Sequence, residues 1–334
     1  MRKILLAIGM ITLFFIGSLY GCMEKKNDEP DSGNVTTNDE LYITPGLVTK
    51  HEANESTGFT WFSYVPENLT KTETAYILID ASHEGTCNPN EAINFTLKQD
   101  IERFRSYAEY YDYILLCPAL YKYCVEDIDP WIRHFPDYVF TDSFNSIFYR
   151  IDLKVSAMID ELTNELIQAG YNVKSKVFLV GFSIGGHFAN RYALLHPNKV
   201  IAFAAGGLSG ELTLPEDTYD GYPMNWPIGV NDFEIAAGES FQRDVYKKVP
   251  QFIFWGEQDL FPYHLSEKCD WGNSDYCHWV DVFGNTSAEA LRSQCSFLDT
   301  MGYDITYMEY EEVGHEWTSR MLSDIFNFFA QYRR

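Results

Sequence analysis

The stretch that most narrows what this chain can fold into is Gly181-Phe182-Ser183-Ile184-Gly185-Gly186. Before it runs Lys176-Val177-Phe178-Leu179-Val180, a short apolar, β-branched run that predicts a buried strand. After it, His187 to His196 carries helical periodicity and stops at Pro197. The order is strand, G-x-S-x-G, helix. Glycines flank the serine because so tight a turn leaves no room for Cβ atoms, and the serine is held in a strained backbone with its Oγ exposed. Ser183 is therefore the candidate nucleophile. Ile184 opens the following helix, where amides point outward without intrahelical partners, so its N–H is the first candidate oxyanion donor.

A serine hydroxyl is a poor nucleophile alone; it needs a base within hydrogen-bond reach and a carboxylate to orient that base. After such a turn the chain order is serine, then acid, then histidine. The acid that fits is Asp259, in Phe252-Ile253-Phe254-Trp255-Gly256-Glu257-Gln258-Asp259, on a loop following a strand. Glu257 is the fallback, and Asp232 comes too early. The base that fits is His315, in Glu311-Glu312-Val313-Gly314-His315-Glu316-Trp317, after the last strand and before the last helix. His187 and His196 belong to the helix after Ser183, and His264 and His278 to the loop after Asp259. A second oxyanion donor is expected from the loop Ser82-His83-Glu84-Gly85-Thr86, from the amide of Glu84 or Gly85. No metal and no organic cofactor is needed for this chemistry. Cys277-His278 lacks the paired C-x-x-C spacing of a zinc site.

The N-terminus reads as a targeting segment: Arg2 and Lys3 precede an apolar run from Ile4 to Ile16. Leu19-Tyr20-Gly21-Cys22 then resembles the lipobox of prokaryotic lipoproteins, with Cys22 as the lipidated residue. A plain cleaved signal and an uncleaved membrane anchor are the other readings, and all three place the domain outside the cytoplasm. Residues 1–22 are thus a lipoprotein-type signal and residues 23–40, polar with Pro30 and Gly33, a flexible tether. A net charge of −23 argues against nucleic acid as a partner, because phosphates are repelled. Cys87, Cys117, Cys124, Cys269, Cys277 and Cys295 remain beyond Cys22. An even count in an exported chain favours disulfides, with Cys269–Cys277 the simplest local pair and Cys117 a candidate buried thiol in a core strand.

From Leu41 onward, strands alternate with helices. Strands are expected over Gly58–Val65, Ala75–Ala81, Tyr113–Cys117, Val200–Ala205, Gln251–Trp255 and Thr306–Glu311. Helices are expected over Thr96–Tyr107, Ala288–Met301 and Ser319–Tyr332. Between Ile151 and Ala169 another carries Leu153, Val155, Met158, Ile159, Leu162 and Leu166 inward, with Gly170 capping it. This alternation predicts one α/β domain, residues 41–334, with a mostly parallel central sheet covered by helices on both faces. Two aromatic-rich insertions, Leu120–Arg150 and Gly206–Val249, both follow strands and so lie over the carboxyl edge of the sheet, where ligands bind in such folds. Some of their aromatic residues are expected to face substrate.

Over almost all of Leu41 to Tyr332 the chain resembles the α/β-hydrolase superfamily. Its Gly181–Gly186 motif, Trp226-Pro227-Ile228-Gly229-Val230-Asn231-Asp232-Phe233 and Gly256-Glu257-Gln258-Asp259 are similar to exported esterases related to polyhydroxyalkanoate depolymerases, feruloyl esterases and dienelactone hydrolases. Many relatives carry a His-Gly pair where this chain has His83-Glu84-Gly85. The resemblance implies a serine hydrolase acting on a small or polymeric carboxylic ester. The competing classes are a peptidase of the prolyl-oligopeptidase type, which usually needs a preceding propeller, and a non-catalytic binding protein on the same fold.

Overall fold

Short runs that are apolar at every position, such as Tyr113–Pro118 and Gln251–Gly256, can satisfy both faces only inside a covered sheet. The computed structural model describes residues 43–80, 85–124, 137–140, 147–259 and 274–333, and the backbone of the two-residue strand at Val35–Thr36. Cys22, Glu84, Cys269 and His264 lie outside the described residues, as does the side chain of Cys277.

In chain order the elements are β1 (Val35–Thr36), β2 (Val48–His51), β3 (Trp61–Tyr64), β4 (Thr74–Asp80), α1 (Pro89–Phe95), a π-helical turn (Thr96–Ile101), α2 (Glu102–Tyr111) and β5 (Tyr113–Pro118). Then come α3 (Ile151–Gln168), β6 (Asn172–Val173), β7 (Val177–Phe182), α4 (Ile184–Leu195), β8 (Val200–Gly206), the small ribbon β9 (Thr218–Tyr219) and β10 (Tyr222–Pro223), α5 (Phe233–Ala237) and α6 (Arg243–Tyr246). The chain finishes with β11 (Gln251–Gly256), α7 (Ser274–Phe283), α8 (Ser287–Thr300), β12 (Ile305–Tyr310) and α9 (Ser319–Ala330). The main sheet has the order β1-β2-β3-β5-β4-β7-β8-β11-β12, with β6 beside the start of β4. From β5 to β12 the pairs are parallel, while β3 is antiparallel to both its neighbours.

Alternate residues of each central strand face opposite sides. Ile77, Ile79, Ile114, Leu179, Phe203 and Trp255 share one core with α3, α4 and α8. Tyr76, Leu78, Leu115, Phe178, Ala204 and Phe254 share the other with α2 and α9. At roughly 25 cal/mol per Å² of apolar surface, these two cores are the main stabilising contribution.

The structure corrects several boundaries. The helix expected over Thr96–Tyr107 starts earlier, because Asn88 caps the turn that Pro89 opens and its Oδ1 accepts from Asn90 N. It ends at Asp112, which is left-handed with φ of 53°. Leu153 does not join the buried stripe of α3: it is 46% exposed, two residues before Val155 and so turned away from the 155-158-159-162-166 face. Gly170 ends α3 as expected, with φ of 89° and Tyr171 N donating to Leu166 O at 2.9 Å. The described aromatic residues of the insertions mostly pack on each other. Phe140, Trp226, Phe233, Phe241 and Tyr246 form one chain of ring contacts, and Tyr121, Tyr123 and Phe148 cluster on Phe59. Among the described residues no helix is long and apolar enough to cross a membrane.

Two polar groups meet between β2 and α3, His51 buried and Glu165 partly buried. The His51 ring stacks on Trp61 at 3.5 Å, its Nε2 meets Ser63 Oγ at 2.9 Å, and its Nδ1 lies 3.6 Å from Glu165 Oε1. Burial pushes His51 down to about 4; burial, then the charge of Glu161, pushes Glu165 up to about 7. The folded state thus holds the Glu165 proton more tightly than the unfolded chain does. That stabilisation is complete below the ordinary carboxylate pKa of 4.5 and is lost as pH rises through about 7. His51 acts oppositely, costing stability only as pH falls from 6.5 towards 4. Glu165→Gln is therefore expected to stabilise the fold at pH 8 by on the order of 1–3 kcal/mol and to change little at pH 4. Urea unfolding at the two pH values checks this; an equal change at both would contradict it.

Candidate active site

β7 runs straight into α4 with Ser183 as the only residue between them. Ser183 has φ of 57° and ψ of −123°, a conformation costing a non-glycine residue about 1–3 kcal/mol. The surroundings enforce it. Ser183 N donates to Gly206 O at 2.8 Å, and its carbonyl accepts the first helical bond, from His187 N at 3.2 Å. A Cβ on Gly181 would lie 2.0 Å from Gly185 O, so no side chain fits under the turn. Since Ser183 N is already bonded, the amide of Ile184 is the first that opens α4 without an intrahelical acceptor.

Asp259 follows β11 and His315 follows β12, the adjacent parallel strand. His315 Nδ1 donates to Asp259 Oδ2 at 2.9 Å; a carboxylate only accepts, so Nδ1 carries the proton and Nε2 of a neutral ring is left as an acceptor. Asp259 is 2% exposed, whereas the His315 side chain is 29% exposed at the sheet's edge. The two loops are tied together by Gln258 N donating to Val313 O at 2.8 Å and Glu312 N to Glu257 Oε2 at 3.1 Å. Glu257, the fallback acid, is thus occupied in holding the loop that carries His315. Asp232 is placed elsewhere, accepting from Trp226 N at 2.6 Å. His196 meets the buried Asp152 at 2.9 Å, and His187 is buried in α4.

The His315 ring packs on Phe182, the residue before Ser183, at 4.8 Å between centroids. Trp317 lies against Phe182 at 5.1 Å, Phe254 at 5.6 Å and Phe104 at 5.9 Å. This aromatic floor fixes the height of the histidine loop over the sheet. Its one signal in the sequence is the aromatic residue at the second position of the G-x-S-x-G motif, Phe182. Glu84 lies outside the described residues; Gly85 is exposed, between the end of β4 and α1. Among the described residues no group of three or more His, Cys, Asp or Glu side chains gathers to hold a metal.

Gly256 is where the two loops come closest. A Cβ there would sit 2.2 Å from Val313 O. Gly256→Ala is expected to part the Asp259 and His315 loops and lower any turnover about 100-fold, the order of loss for a misplacement near 1 Å. Turnover compared with near-ultraviolet circular dichroism tests it, and full turnover with native packing would count against it.

No family model and no curated protein matches the sequence. Solved structures do. A poly(3-hydroxybutyrate) depolymerase from Bordetella parapertussis superposes with a TM-score of 0.54 at 15% identity, over 87% of this chain and 92% of that one. The fold is that of the α/β hydrolases. A poly(aspartic acid) hydrolase from Sphingomonas sp. KT-1 superposes with a TM-score of 0.55, also at 15% identity, over 87% of this chain and 97% of that one. In this chain the turn bearing Ser183 and the loops bearing Asp259 and His315 follow β7, β11 and β12, at one edge of the sheet.

Proposed function

We propose that the chain is an exported, membrane-tethered serine hydrolase of carboxylic esters, acting through an acyl-enzyme. The observation that carries this is the strained Ser183 at the β7–α4 turn together with a bonded His315–Asp259 pair whose imidazole rests on Phe182, the residue before the serine. In the proposed cycle His315 Nε2 takes the Ser183 proton as Oγ attacks the carbonyl carbon. The oxyanion is met by Ile184 N–H and by an amide of Glu84 or Gly85. The tetrahedral species collapses as His315 returns the proton to the departing alkoxide, leaving the acyl group on Ser183. Water, deprotonated by His315, releases the acid by the same route. Asp259 keeps Nδ1 as donor throughout and stabilises the imidazolium.

The two solved structures named above, a depolymerase and a polymer hydrolase, support hydrolysis as the class and make polymeric substrates worth testing. The Cys87–Cys124 disulfide fits an oxidising, extracytoplasmic compartment. The decisive experiment labels the protein with a fluorescent fluorophosphonate and follows with p-nitrophenyl esters of graded chain length. Labelling lost in Ser183→Ala and in His315→Ala supports the reading. A folded protein that takes no label would transfer the weight to a non-catalytic binding protein. Detergent-phase partitioning of the labelled protein tests lipidation at Cys22, and recovery wholly in the aqueous phase removes the anchor.

A further inference from the structure

We propose that the cavity at the starts of β4, β7 and β8 is a binding site for a small organic anion, a carboxylate or phosphate head on an apolar body. The cavity has a volume of about 360 Å³ and is lined by Tyr76, Lys174, Ser175, Lys176, Ile201 and Tyr332. Small-molecule sites usually measure about 300–1,000 Å³. Tyr76 lies near the start of β4, Lys176 immediately before β7, and Ile201 near the start of β8. These three strands are neighbours and run parallel. The cavity is therefore at the amino edge of the sheet, and Ser183, Asp259 and His315 are at the carboxyl edge. β7 is six residues long, so at about 3.3 Å per residue the two edges are roughly 20 Å apart. This is a second site, separate from the candidate active site.

Charge selects the ligand. The chain carries 48 acidic residues against 25 basic ones, so a cavity wall drawn from it without selection would hold carboxylates. This wall holds none, and it holds two lysines. Other surface cations are neutralised within the fold: Lys199 meets Asp160 at 2.9 Å and Arg292 meets Glu309 at 2.7 Å. Among the described residues, Lys174 and Lys176 meet no carboxylate. Arg333 adds a third positive charge beside the cavity. Its Nη1 donates to Tyr111 O, and its guanidinium lies 5.2 Å from the centroid of the Tyr76 ring. Tyr76, Tyr332 and Ile201 offer two rings and a branched chain to an apolar body, and the Ser175 hydroxyl can donate to the head. An ammonium donates equally to carboxylate and phosphate oxygens, which is why the two heads share the site. The backbone that carries the lysines is already in place. β6 pairs with the start of β4, Thr74 opposite Asn172 and Ala75 opposite Val173, and Lys174 N donates to Ala75 O at 3.0 Å. The turn Lys174-Ser175-Lys176 is thus held between β6 and β7, which lowers the ordering cost of binding.

Calorimetric titration of the full chain tests this. The probes are benzoate and phenyl phosphate, which have head and body, benzyl alcohol, which lacks the charge, and acetate and inorganic phosphate, which lack the body. Benzoate and phenyl phosphate are expected to bind one to one, and the tighter of the two names the head group the site takes. Benzyl alcohol, acetate and inorganic phosphate should each bind about tenfold more weakly or worse, since each lacks either the charge-assisted bonds or the apolar contact. Lys174→Ala/Lys176→Ala should weaken both aromatic anions by about tenfold or more. Both lysines are exposed, so the double variant should fold as the intact protein does. Added sodium chloride should weaken the anions and leave benzyl alcohol unaffected. Equal affinity of the intact protein and the double variant for both aromatic anions would put their binding elsewhere and overturn the site. Equal affinity for benzoate and benzyl alcohol would overturn it too, because the cavity would then make no choice of charge. Absence of saturable binding of either aromatic anion would overturn it outright. None of these outcomes bears on the serine-hydrolase reading, which stands or falls on labelling at Ser183.

Discussion

Replacing Ser183 with alanine is expected to abolish fluorophosphonate labelling and to lower ester turnover by on the order of 10⁶-fold, with the fold unchanged. The effect is this large because the serine, the base and the acid act as a unit: once the nucleophile is gone, His315 and Asp259 have no proton to move. Alanine fits because the backbone around Ser183 is held by Gly206 O and by the start of α4, not by its hydroxyl. The same position yields a stability prediction of opposite sign. With φ of 57°, Ser183 occupies a region that glycine enters freely. Ser183→Gly should be as inactive as Ser183→Ala but more stable, by about 1 kcal/mol. Thermal melts of the three proteins would show it. A glycine variant less stable than alanine would mean that the turn is not strained.

Asp259→Asn carries the second largest effect, a fall in kcat of about 10⁴-fold with KM nearly unchanged. The side chains are isosteric, and Asp259 is almost wholly buried, so the loop should keep its place. What changes is the proton. A carboxylate obliges His315 Nδ1 to donate; a carboxamide can turn its NH₂ towards Nδ1 and leave the hydrogen on Nε2, which on the proposed reading blocks acceptance of the serine proton. Stopped-flow kinetics on an activated ester measures the loss. Retention of more than about a tenth of wild-type kcat would mean that Asp259 does not orient the base. Glu257 is not a ready substitute, since Glu312 N holds its Oε2.

These candidates stand out in the sequence because each sits at a boundary with a physical cause. Ser183 stands between a β-branched run and a helix, Asp259 after the Gln251–Gly256 strand, and His315 between β12 and α9. The structure brings Asp259 and His315 into contact because β11 and β12 are neighbours, and the order of the motifs implied that adjacency. What stayed hidden depends on partners distant in the chain. β2 is a short strand of mixed polarity that owes its existence to pairing with β3, and α7 begins within a polar stretch. The π-helical turn between α1 and α2 leaves no periodic mark in so short a run. Leu153 looked like core because it is apolar, yet its angle around α3 faces it outward. The Cys87–Cys124 bridge is compatible with three of the fifteen connectivities of six cysteines, which spacing alone does not separate.

The strand order has a consequence for how this molecule matures. β4 lies between β5 and β7, and β11 between β8 and β12, so the sheet is joined largely by segments far apart in the chain. Such contacts close late, because the loop entropy of each pairing is lost before its contacts form. The candidate serine, acid and base are borne by β7, β11 and β12, and β12 is the last of these three to be synthesised. No partial product of synthesis or proteolysis that stops short of β12 can hold all three. On the reading proposed above, reactivity at Ser183 reports that β12 is in place, and the time course of labelling after dilution from denaturant is a clock for the docking of that strand.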